Sequence, residues 1–224
     1  MLIVARLVIV VLCAFMLTAC TPQAALLASL IPQGTVGMML GNLERVSDVN
    51  RKRVAELEQR GDWKGLAALA ERNLRDDGSN ADWWLIAGYA RSQLQDHRAA
   101  AEAYREVLRL EPDNAAAWHL LAQSYRGAGD SNRAVNVLNN ALLALRDSPL
   151  TYYLLGESYA DIGRYEEAVA AYRAAVRIED RFPAAWFALA KAYGRLGRAV
   201  DAREAQARLE KLDPKLAQRL REGA

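Results

Sequence analysis

A repeat of 34 residues constrains this chain more than any other feature. The pattern is clearest from Pro149 to Phe182, where apolar and small residues recur at i, i+3, i+4 and i+7. That spacing places them on one face of a helix. Gly163 interrupts the pattern, so two short amphipathic helices are expected. A single helix pair cannot bury both of its apolar faces, and stability therefore requires neighbouring copies.

Those neighbours occur at the same spacing. The six key residues of the segment are Tyr152, Leu155, Gly156, Tyr159, Gly163 and Ala168. Residues of similar type recur 34 positions later, as Trp186, Leu189, Ala190, Tyr193, Gly197 and Ala202. They also recur 34 positions earlier, as Trp118, Leu121, Ala122, Tyr125, Gly129 and Ala134. A fourth copy contains Trp84, Gly88 and Ala100, and a fifth, degraded copy keeps Gly61 and Asp62 in phase. Such regularity without insertions predicts a stack of identical supersecondary units.

The pattern resembles the tetratricopeptide repeat (TPR), W-x2-L-G-x2-Y…A-x3-F…P, with one helix-turn-helix per 34 residues. The resemblance implies an all-α fold, a right-handed superhelical solenoid of stacked antiparallel helix hairpins. We define unit 1 as residues 47–80, which is degenerate, followed by units 2 to 5 as residues 81–114, 115–148, 149–182 and 183–216. Residues 217–224 form a C-terminal capping segment. Ten helices are expected, with turns near Gly61, Gln95, Gly129, Gly163 and Gly197, and one extra helix after Pro214.

Residues at the expected helix ends fit this arrangement. Asn80 and Asn114 precede first helices as N-caps, and Pro149 and Pro183 lie in the first turn of two other first helices. Asp62, Asp96 and Asp130 occupy the same place before second helices, whereas Arg164 and Arg198 break that pattern and predict weaker caps. Pro112 and Pro214 end two second helices. Unit 3 has Arg146 instead of proline, so its second helix is expected to continue through Leu145 towards Ser148.

The first residues have the pattern of an export signal. Arg6 precedes an apolar run from Leu7 to Leu17, which is short for a membrane span and typical of a signal peptide over residues 1–19. Leu17-Thr18-Ala19-Cys20 is similar to the bacterial lipobox, in which the cysteine is acylated and becomes the mature N-terminus. The alternatives are a simple membrane anchor, or an ordinary signal peptide that happens to contain a cysteine. Cys20 is therefore the expected lipidation site, and palmitate is one expected modification.

Residues 20–46 are interpreted as the lipidated cysteine and an apolar tether. Thr21 follows the cysteine, where the resemblance associates Asp with retention at the inner membrane. An outer-membrane lipid anchor facing the periplasm is therefore the expected location. The segment from Ala24 to Val46 contains three glycines, which disfavour a helix. A partly ordered tether, folded back in part on unit 1, is favoured over a dedicated docking helix.

Charge and motifs exclude several classes of function. The chain has 29 basic and 27 acidic residues, and loss of Arg6 with the signal leaves 28 basic residues, so no electrostatic footprint for nucleic acid is present. The sequence contains no HExxH, GxSxG or phosphate-binding glycine-rich loop, and no Cys/His cluster at metal-ligand spacing. The chain is therefore predicted not to be an enzyme. No cofactor, metal or small-molecule substrate is expected.

The TPR resemblance also implies where a partner would bind. In that family the concave groove is lined by first-helix residues at repeat positions 2, 5, 9, 12 and 13. The positions carried over are Leu85, Tyr89, His119, Gln123, Arg126, Tyr153, Glu157, Phe187, Lys191 and Arg195, together with Gln93 and Asp161. His119, Tyr153 and Phe187 are expected to be partly exposed as a partner-binding row. The alternative is that neighbouring first helices, or the segment from Leu26 to Leu43, cover the row. Trp84, Trp118, Tyr152 and Trp186 at position 4 are interpreted as packing anchors.

Two classes of function follow. The first is a lipid-anchored periplasmic scaffold that binds a segment of an envelope protein in the groove, with a pilotin-like assembly factor for a secretin, pilus or other envelope complex as the alternative. The second, less favoured class is a ligand carrier or an enzyme. The fifth positions differ from those of chaperone-binding TPRs, so a clamp for a C-terminal carboxylate is not expected. An amphipathic helix or an extended segment fits the aromatic row better.

Overall fold

The computed structural model describes residues 45–222, which belong to one compact unit. The predictions for the signal peptide, for Cys20 and for the tether as far as residue 44 lie outside the described residues. Between residues 45 and 222 the chain forms eleven helices and no strand. They are α1 (Asp48–Gln59), α2 (Trp63–Asp76), α3 (Ala81–Gln93), α4 (His97–Leu110), α5 (Ala115–Gly127), α6 (Ser131–Ala144), α7 (Pro149–Asp161), α8 (Tyr165–Ile178), α9 (Pro183–Arg195), α10 (Ala199–Leu212) and α11 (Pro214–Glu222). The all-α prediction is confirmed.

Each hairpin reverses through one residue with a left-handed backbone. These residues are Gly61, Gln95, Gly129, Gly163 and Gly197, with φ of +65°, +62°, +77°, +76° and +70°. All five are the turn residues expected from the repeat. Glycine adopts this conformation without steric cost, whereas Gln95 places a Cβ in a region that disfavours it.

The second helices are capped as the sequence predicts. The Asp62, Asp96 and Asp130 carboxylates accept from the backbone N–H groups of Gly65, Ala99 and Arg133 at 2.9, 3.2 and 3.1 Å. Arg164 and Arg198 make no such bond.

These two arginines have a different role at the same place. The Arg164 guanidinium pairs with Glu167 and lies 4.9 Å from the centre of the Tyr159 ring. Arg198 pairs with Asp201 at 2.7 Å and lies 4.8 Å from the centre of the Tyr193 ring. Ion pairing and ring stacking therefore hold the two arginines at the start of α8 and α10, but the guanidinium groups do not supply the cap hydrogen bond that aspartate makes in the other units.

One predicted boundary is wrong. The second helix of unit 3, α6, ends at Ala144 and does not continue towards Ser148. Asp147 adopts φ +54°, which leaves the helical region, and the Ser148 hydroxyl accepts from the backbone N–H of Thr151 to cap α7. The chain therefore leaves the helix in phase with the other units, although no proline requires it.

Two glycines bring the helices of a hairpin close together. A Cβ added at Gly156 would lie 2.5 Å from Cε1 of Tyr172, and one at Gly88 would lie 2.6 Å from the same atom of Tyr104. Tyr172 and Tyr104 are both buried, with 1% and 0% of their surface exposed. In units 2 and 4 the second helix thus packs a tyrosine ring directly against the backbone of the first.

The tryptophans at position 4 form hydrogen bonds to the loop that connects their unit to the preceding one. The indole N–H groups of Trp84, Trp118 and Trp186 donate to the carbonyls of Gly78, Pro112 and Asp180 at 2.9, 2.8 and 2.8 Å. Each acceptor lies six residues earlier, in the loop that leads into the unit. Their interpretation as packing anchors agrees with these bonds.

In units 3 to 5 the first helices form the inner layer. Helix α7 contacts both α5 and α9, while the second helices α6, α8 and α10 approach one another less closely. A stack whose first helices are closer together than its second helices curves towards the first helices. Within residues 45–222 no helix is long and apolar enough to cross a membrane.

Candidate functional site

The inner face at units 3 and 4 is dominated by a buried ionic cluster around Arg126. This arginine of α5 donates from Nε to Asp161 at 2.6 Å and from Nη2 to Glu157 at 3.3 Å, and both acids belong to α7. Glu157 also accepts a hydrogen bond of 2.6 Å from the Tyr172 hydroxyl. The side chains of Arg126 and Glu157 are only 10% and 7% exposed. The cluster therefore joins two units instead of offering charges to a ligand.

The electrostatics of the cluster follow from its burial. Burial alone lowers the pKa of Arg126, but the bond to Asp161 and the charges of Glu157 and Asp161 outweigh it and raise that pKa above its ordinary value. Burial and the neighbouring Glu157 raise the pKa of Tyr172 well above its ordinary value, so this hydroxyl remains a donor. Nη1 of Arg126 is buried without a hydrogen-bond partner among the described residues.

His119 joins the same two helices. Its Nε2 lies 2.8 Å from the Thr151 hydroxyl of α7, and burial lowers the pKa of the imidazole to about 4. The side chain is half-buried and neutral at physiological pH. His119 is thus partly exposed at the inner face, and its Nε2 atom already bonds to Thr151.

Tyr153 is the main correction to the expected partner-binding row. The ring is only 3% exposed, and its centre lies 5.2 Å from the centre of Phe182 and 6.0 Å from that of Tyr172. Phe182 ends the loop into unit 5, so Tyr153 fills the junction between units 4 and 5. The expectation that this ring is partly exposed is wrong. Tyr172 of the second helix α8 and Phe182 of the following loop cover it, whereas the alternative named neighbouring first helices or the segment from Leu26 to Leu43.

Two more of the expected groove residues are also buried. Leu85 is 8% exposed and Glu157 is 5% exposed. Leu85 belongs to a helix with seven buried residues, which leaves little of α3 facing solvent. These positions line the interior of the stack, and a partner could not contact them without displacing other side chains.

The remaining inner-face positions are accessible. Tyr89 is half-buried and packs edge-on against Trp63 with ring centres 5.7 Å apart. Burial and the nearby Glu58 raise the pKa of Tyr89 to about 12. Gln123, Phe187 and Lys191 are half-buried, and Arg195 is exposed. The Lys191 ammonium lies 5.7 Å from the centre of the Phe187 ring.

The accessible inner face thus changes character along the solenoid. Its first part is aromatic, around Tyr89 and Gln123, with the Glu58 carboxyl group beside Tyr89. Its last part combines the apolar Phe187 with the cations Lys191 and Arg195, neither of which forms an ion pair within the described part of the chain. We call Phe187, Lys191 and Arg195 the basic end of the groove.

Three residues that form hydrogen bonds around the ionic cluster were not predicted from the sequence. Tyr172, Ser131 and Thr151 bond to Glu157, Asp161 and His119 respectively. The register does not indicate these three residues; it brings together Arg126, Glu157 and Asp161, at position 12 of unit 3 and positions 9 and 13 of unit 4. No group of three or more possible metal ligands lies together within residues 45–222.

This architecture defines a solenoid of stacked helix hairpins, and sequence comparison agrees with it. Residues 156–197 match the family profile described as TPR repeat, and residues 93–175 match that of anaphase-promoting complex, cyclosome, subunit 3. Residues 156–197 therefore carry the TPR repeat, and the fold of residues 45–222 is that of a TPR solenoid. No curated protein sequence matches it significantly.

Solved structures share the fold at low sequence identity. A crystal structure of MamA is 21% identical with a TM-score of 0.68, covering 77% of this chain and 99% of that one. MamA from Desulfovibrio magneticus is 19% identical with a TM-score of 0.67, covering 77% and 97%. TTC0263, a thermophilic TPR protein of Thermus thermophilus, is 22% identical with a TM-score of 0.59, covering 76% and 95%. These likenesses concern the fold.

Proposed function

We propose that this protein is a non-enzymatic, lipid-anchored scaffold of the bacterial periplasm that binds a segment of an envelope protein on its inner face. The observation that carries the binding proposal is the accessible row from Tyr89 and Gln123 to the basic end of the groove. TPR solenoids present such inner faces to protein partners, so the fold supports the general function. The anchor is proposed from the sequence of residues 1–20 alone.

The burial of several expected groove residues limits which side chains a partner segment would need. Leu85, Tyr153 and Glu157 are buried, so contacts come from Tyr89, Gln123, Phe187, Lys191 and Arg195. The Phe187 ring is half-exposed and lies beside two cations that form no ion pair within the described residues. Such a surface favours a partner segment in which an apolar residue lies close to acidic residues. A helix or an extended strand could present both.

The binding proposal is tested by cross-linking in cells that produce the full-length protein. The triple variant Phe187→Ala, Lys191→Glu, Arg195→Glu should lose a cross-linked partner that the wild type retains. Lys211→Glu is the matched control, because Lys211 is exposed on the second helix of the same unit. Retention of the same partner by the triple variant would move the binding site away from the inner face.

The identity of the captured protein decides between a general scaffold and the pilotin-like alternative. Capture of a secretin or pilus subunit would favour an assembly factor. Catalytic turnover by the purified protein alone would contradict the non-enzymatic proposal.

The location has a separate test. Cell fractionation should place the wild type with the outer membrane, and Cys20→Ser should release the protein from it or leave an unprocessed precursor. A wild-type protein found entirely at the inner membrane would contradict the proposed location without affecting the groove.

A further inference from the structure

A large groove within residues 45–222 is lined by the second helices of units 4 and 5 and contains none of the residues of the accessible row. It has a volume of about 970 Å³ and runs between the second helices of units 4 and 5, α8 and α10, with α9 beneath them. Trp186, Leu189 and Tyr193 of α9 contribute the floor. We call it the outer groove. None of its lining residues belongs to the proposed partner-binding site.

Two alanines explain why the groove is large at this place. The equivalent space two units earlier, between α4 and α6, has a volume of about 420 Å³. Ala170 and Ala174 line the outer groove, and their counterparts in α4 are Glu102 and Glu106. Glu102 lines the smaller space and Glu106 pairs with Arg109 at 2.8 Å. The groove between second helices is thus a feature of the repeat, and the short side chains of Ala170 and Ala174 on α8 enlarge it between units 4 and 5.

The same wall of α8 carries unpaired positive charge. Arg173 and Arg177 line the outer groove one helical turn apart, and neither forms an ion pair within the described part of the chain. Two other arginines of the groove are already neutralised, because Arg198 pairs with Asp201 and Arg208 pairs with Asp180. A ligand lying along α8 would therefore meet two cations that form no ion pair within the described part of the chain, with Glu204 of α10 also lining the groove. The floor exposes mainly the half-buried Trp186, because Leu189 and Tyr193 are only 2% and 6% exposed.

The dimensions match a short helix. Ala170 and Arg177 lie seven residues apart on α8, so the wall that they bound is about 10 Å long, which is two turns of an α-helix. The stripe of Ala170, Arg173, Ala174 and Arg177 covers the same two turns of α8. Carboxylates four residues apart on a bound helix would face the two arginines.

We infer that the outer groove is a second protein-binding site, which holds an amphipathic α-helix of a partner with acidic residues along one flank. The apolar stripe of that helix lies on the half-buried Trp186, and its acidic flank lies against Arg173 and Arg177. Small residues on the stripe allow close approach to Ala170 and Ala174. The site is independent of the inner face, so a scaffold with both sites could hold two partners at once.

The test uses the full-length protein in detergent micelles and two fluorescein-labelled helical peptides of fourteen residues. Both peptides carry leucine and alanine along one stripe; one has glutamate on a flank at four-residue spacing, and the other has lysine there. Fluorescence anisotropy should detect binding of the glutamate peptide and weaker binding of the lysine peptide. Arg173→Glu with Arg177→Glu should weaken the glutamate peptide about tenfold, since two exposed attractions become repulsions.

A second variant tests the shape of the groove without changing its charge. Ala170→Gln with Ala174→Gln fills it to the size found between α4 and α6, and should also weaken the peptide. Lys191→Glu with Arg195→Glu is the matched control on the inner face and should leave binding unchanged. Circular dichroism and thermal unfolding confirm that each variant folds.

Four outcomes would overturn the inference. They are equal binding of both peptides, no effect of the Arg173/Arg177 reversal, no effect of the glutamine pair, and loss of peptide binding in the inner-face control. Sedimentation analysis tests a fifth outcome. A dimer that dissociates when Arg173 and Arg177 are reversed to glutamate would show that the groove binds a second copy of this chain. Peptide binding that appears only after removal of residues 21–44 would assign it to the chain's own segment.

Discussion

Replacement of Gly156 by alanine tests the close contact on which the hairpin of unit 4 depends. The added Cβ would lie 2.5 and 2.6 Å from two ring carbons of Tyr172, well inside van der Waals distance. The ring has little freedom to yield. It is 1% exposed, its hydroxyl donates to Glu157 at 2.6 Å, and it packs against Tyr153 with ring centres 6.0 Å apart.

Two opposing effects decide the sign. Alanine in place of glycine favours a helix by about 1 kcal/mol, while overpacking a buried contact costs about 1 to 3 kcal/mol. Because the tyrosine is fixed at both ends, we expect a cost near the upper part of that range and a net loss of about 1 to 2 kcal/mol. At about 2 to 4 °C per kcal/mol for a chain of this size, Tm should fall by roughly 2 to 8 °C.

Gly194 provides a matched control in the same solenoid. It lies in a first helix, α9, and nothing lies within 4 Å of the position its Cβ would take. Gly194→Ala should therefore stabilise the protein by about 0.5 to 1 kcal/mol. Urea unfolding followed by far-UV circular dichroism measures both variants, with an unchanged m-value required for the comparison. Equal stabilisation by the two alanines would refute the reasoning, since the contact with Tyr172 would then cost nothing.

Other predictions concern single positions. Tyr153→Ala should destabilise the protein by about 3 to 5 kcal/mol because it empties a buried junction, and a variant whose thermal unfolding matches the wild type would show the ring to be dispensable. Gln95→Gly should stabilise the second hairpin by about 1 kcal/mol, measured by urea unfolding, since it removes a side chain from a turn with φ +62°. Folding keeps His119 neutral and lowers its pKa from 6.5 to about 4, so its contribution to stability is complete above pH 6.5 and is lost as the pH falls towards 4. His119→Gln should therefore lose roughly 2 to 3 kcal/mol less than the wild type over that interval, and parallel curves would contradict the assignment. Cys20→Ser should abolish incorporation of labelled fatty acid, whereas continued labelling of the variant would exclude this cysteine as the anchor.

Much of the fold could be predicted from the sequence because the repeat is local. The turn residues, the aspartate caps and the proline that starts α11 each depend on neighbours within a few positions, and a fixed period multiplies the signal. The end of α6 was missed because the local pattern lacked a stop signal. There the left-handed Asp147 and the Ser148 cap of the following helix end it instead.

The site was harder to predict because exposure is not a property of a repeat position. Position 5 is buried at Tyr153, where Phe182 and Tyr172 cover the ring, and half-exposed at Phe187. The side chains that the following helix and loop place over the position decide the difference. The outer groove was not predicted from the sequence for a similar reason. Ala170 and Ala174 enlarge the groove only by comparison with Glu102 and Glu106, which occupy the same positions two units earlier.

The indole bonds that fasten the units have a consequence for how the solenoid comes apart. Units 2, 3 and 5 each begin with a tryptophan that reaches back to the preceding loop, but unit 4 begins with Tyr152, which has no ring N–H. The joint between units 3 and 4 is bridged instead by Arg126 with Glu157 and Asp161, and by His119 with Thr151. Acid protonates the His119 imidazole of that joint, whose pKa burial lowers to about 4, but leaves an indole unchanged. On acidification the stack should therefore divide into two blocks at residues 145–148, each still helical, before either block unfolds.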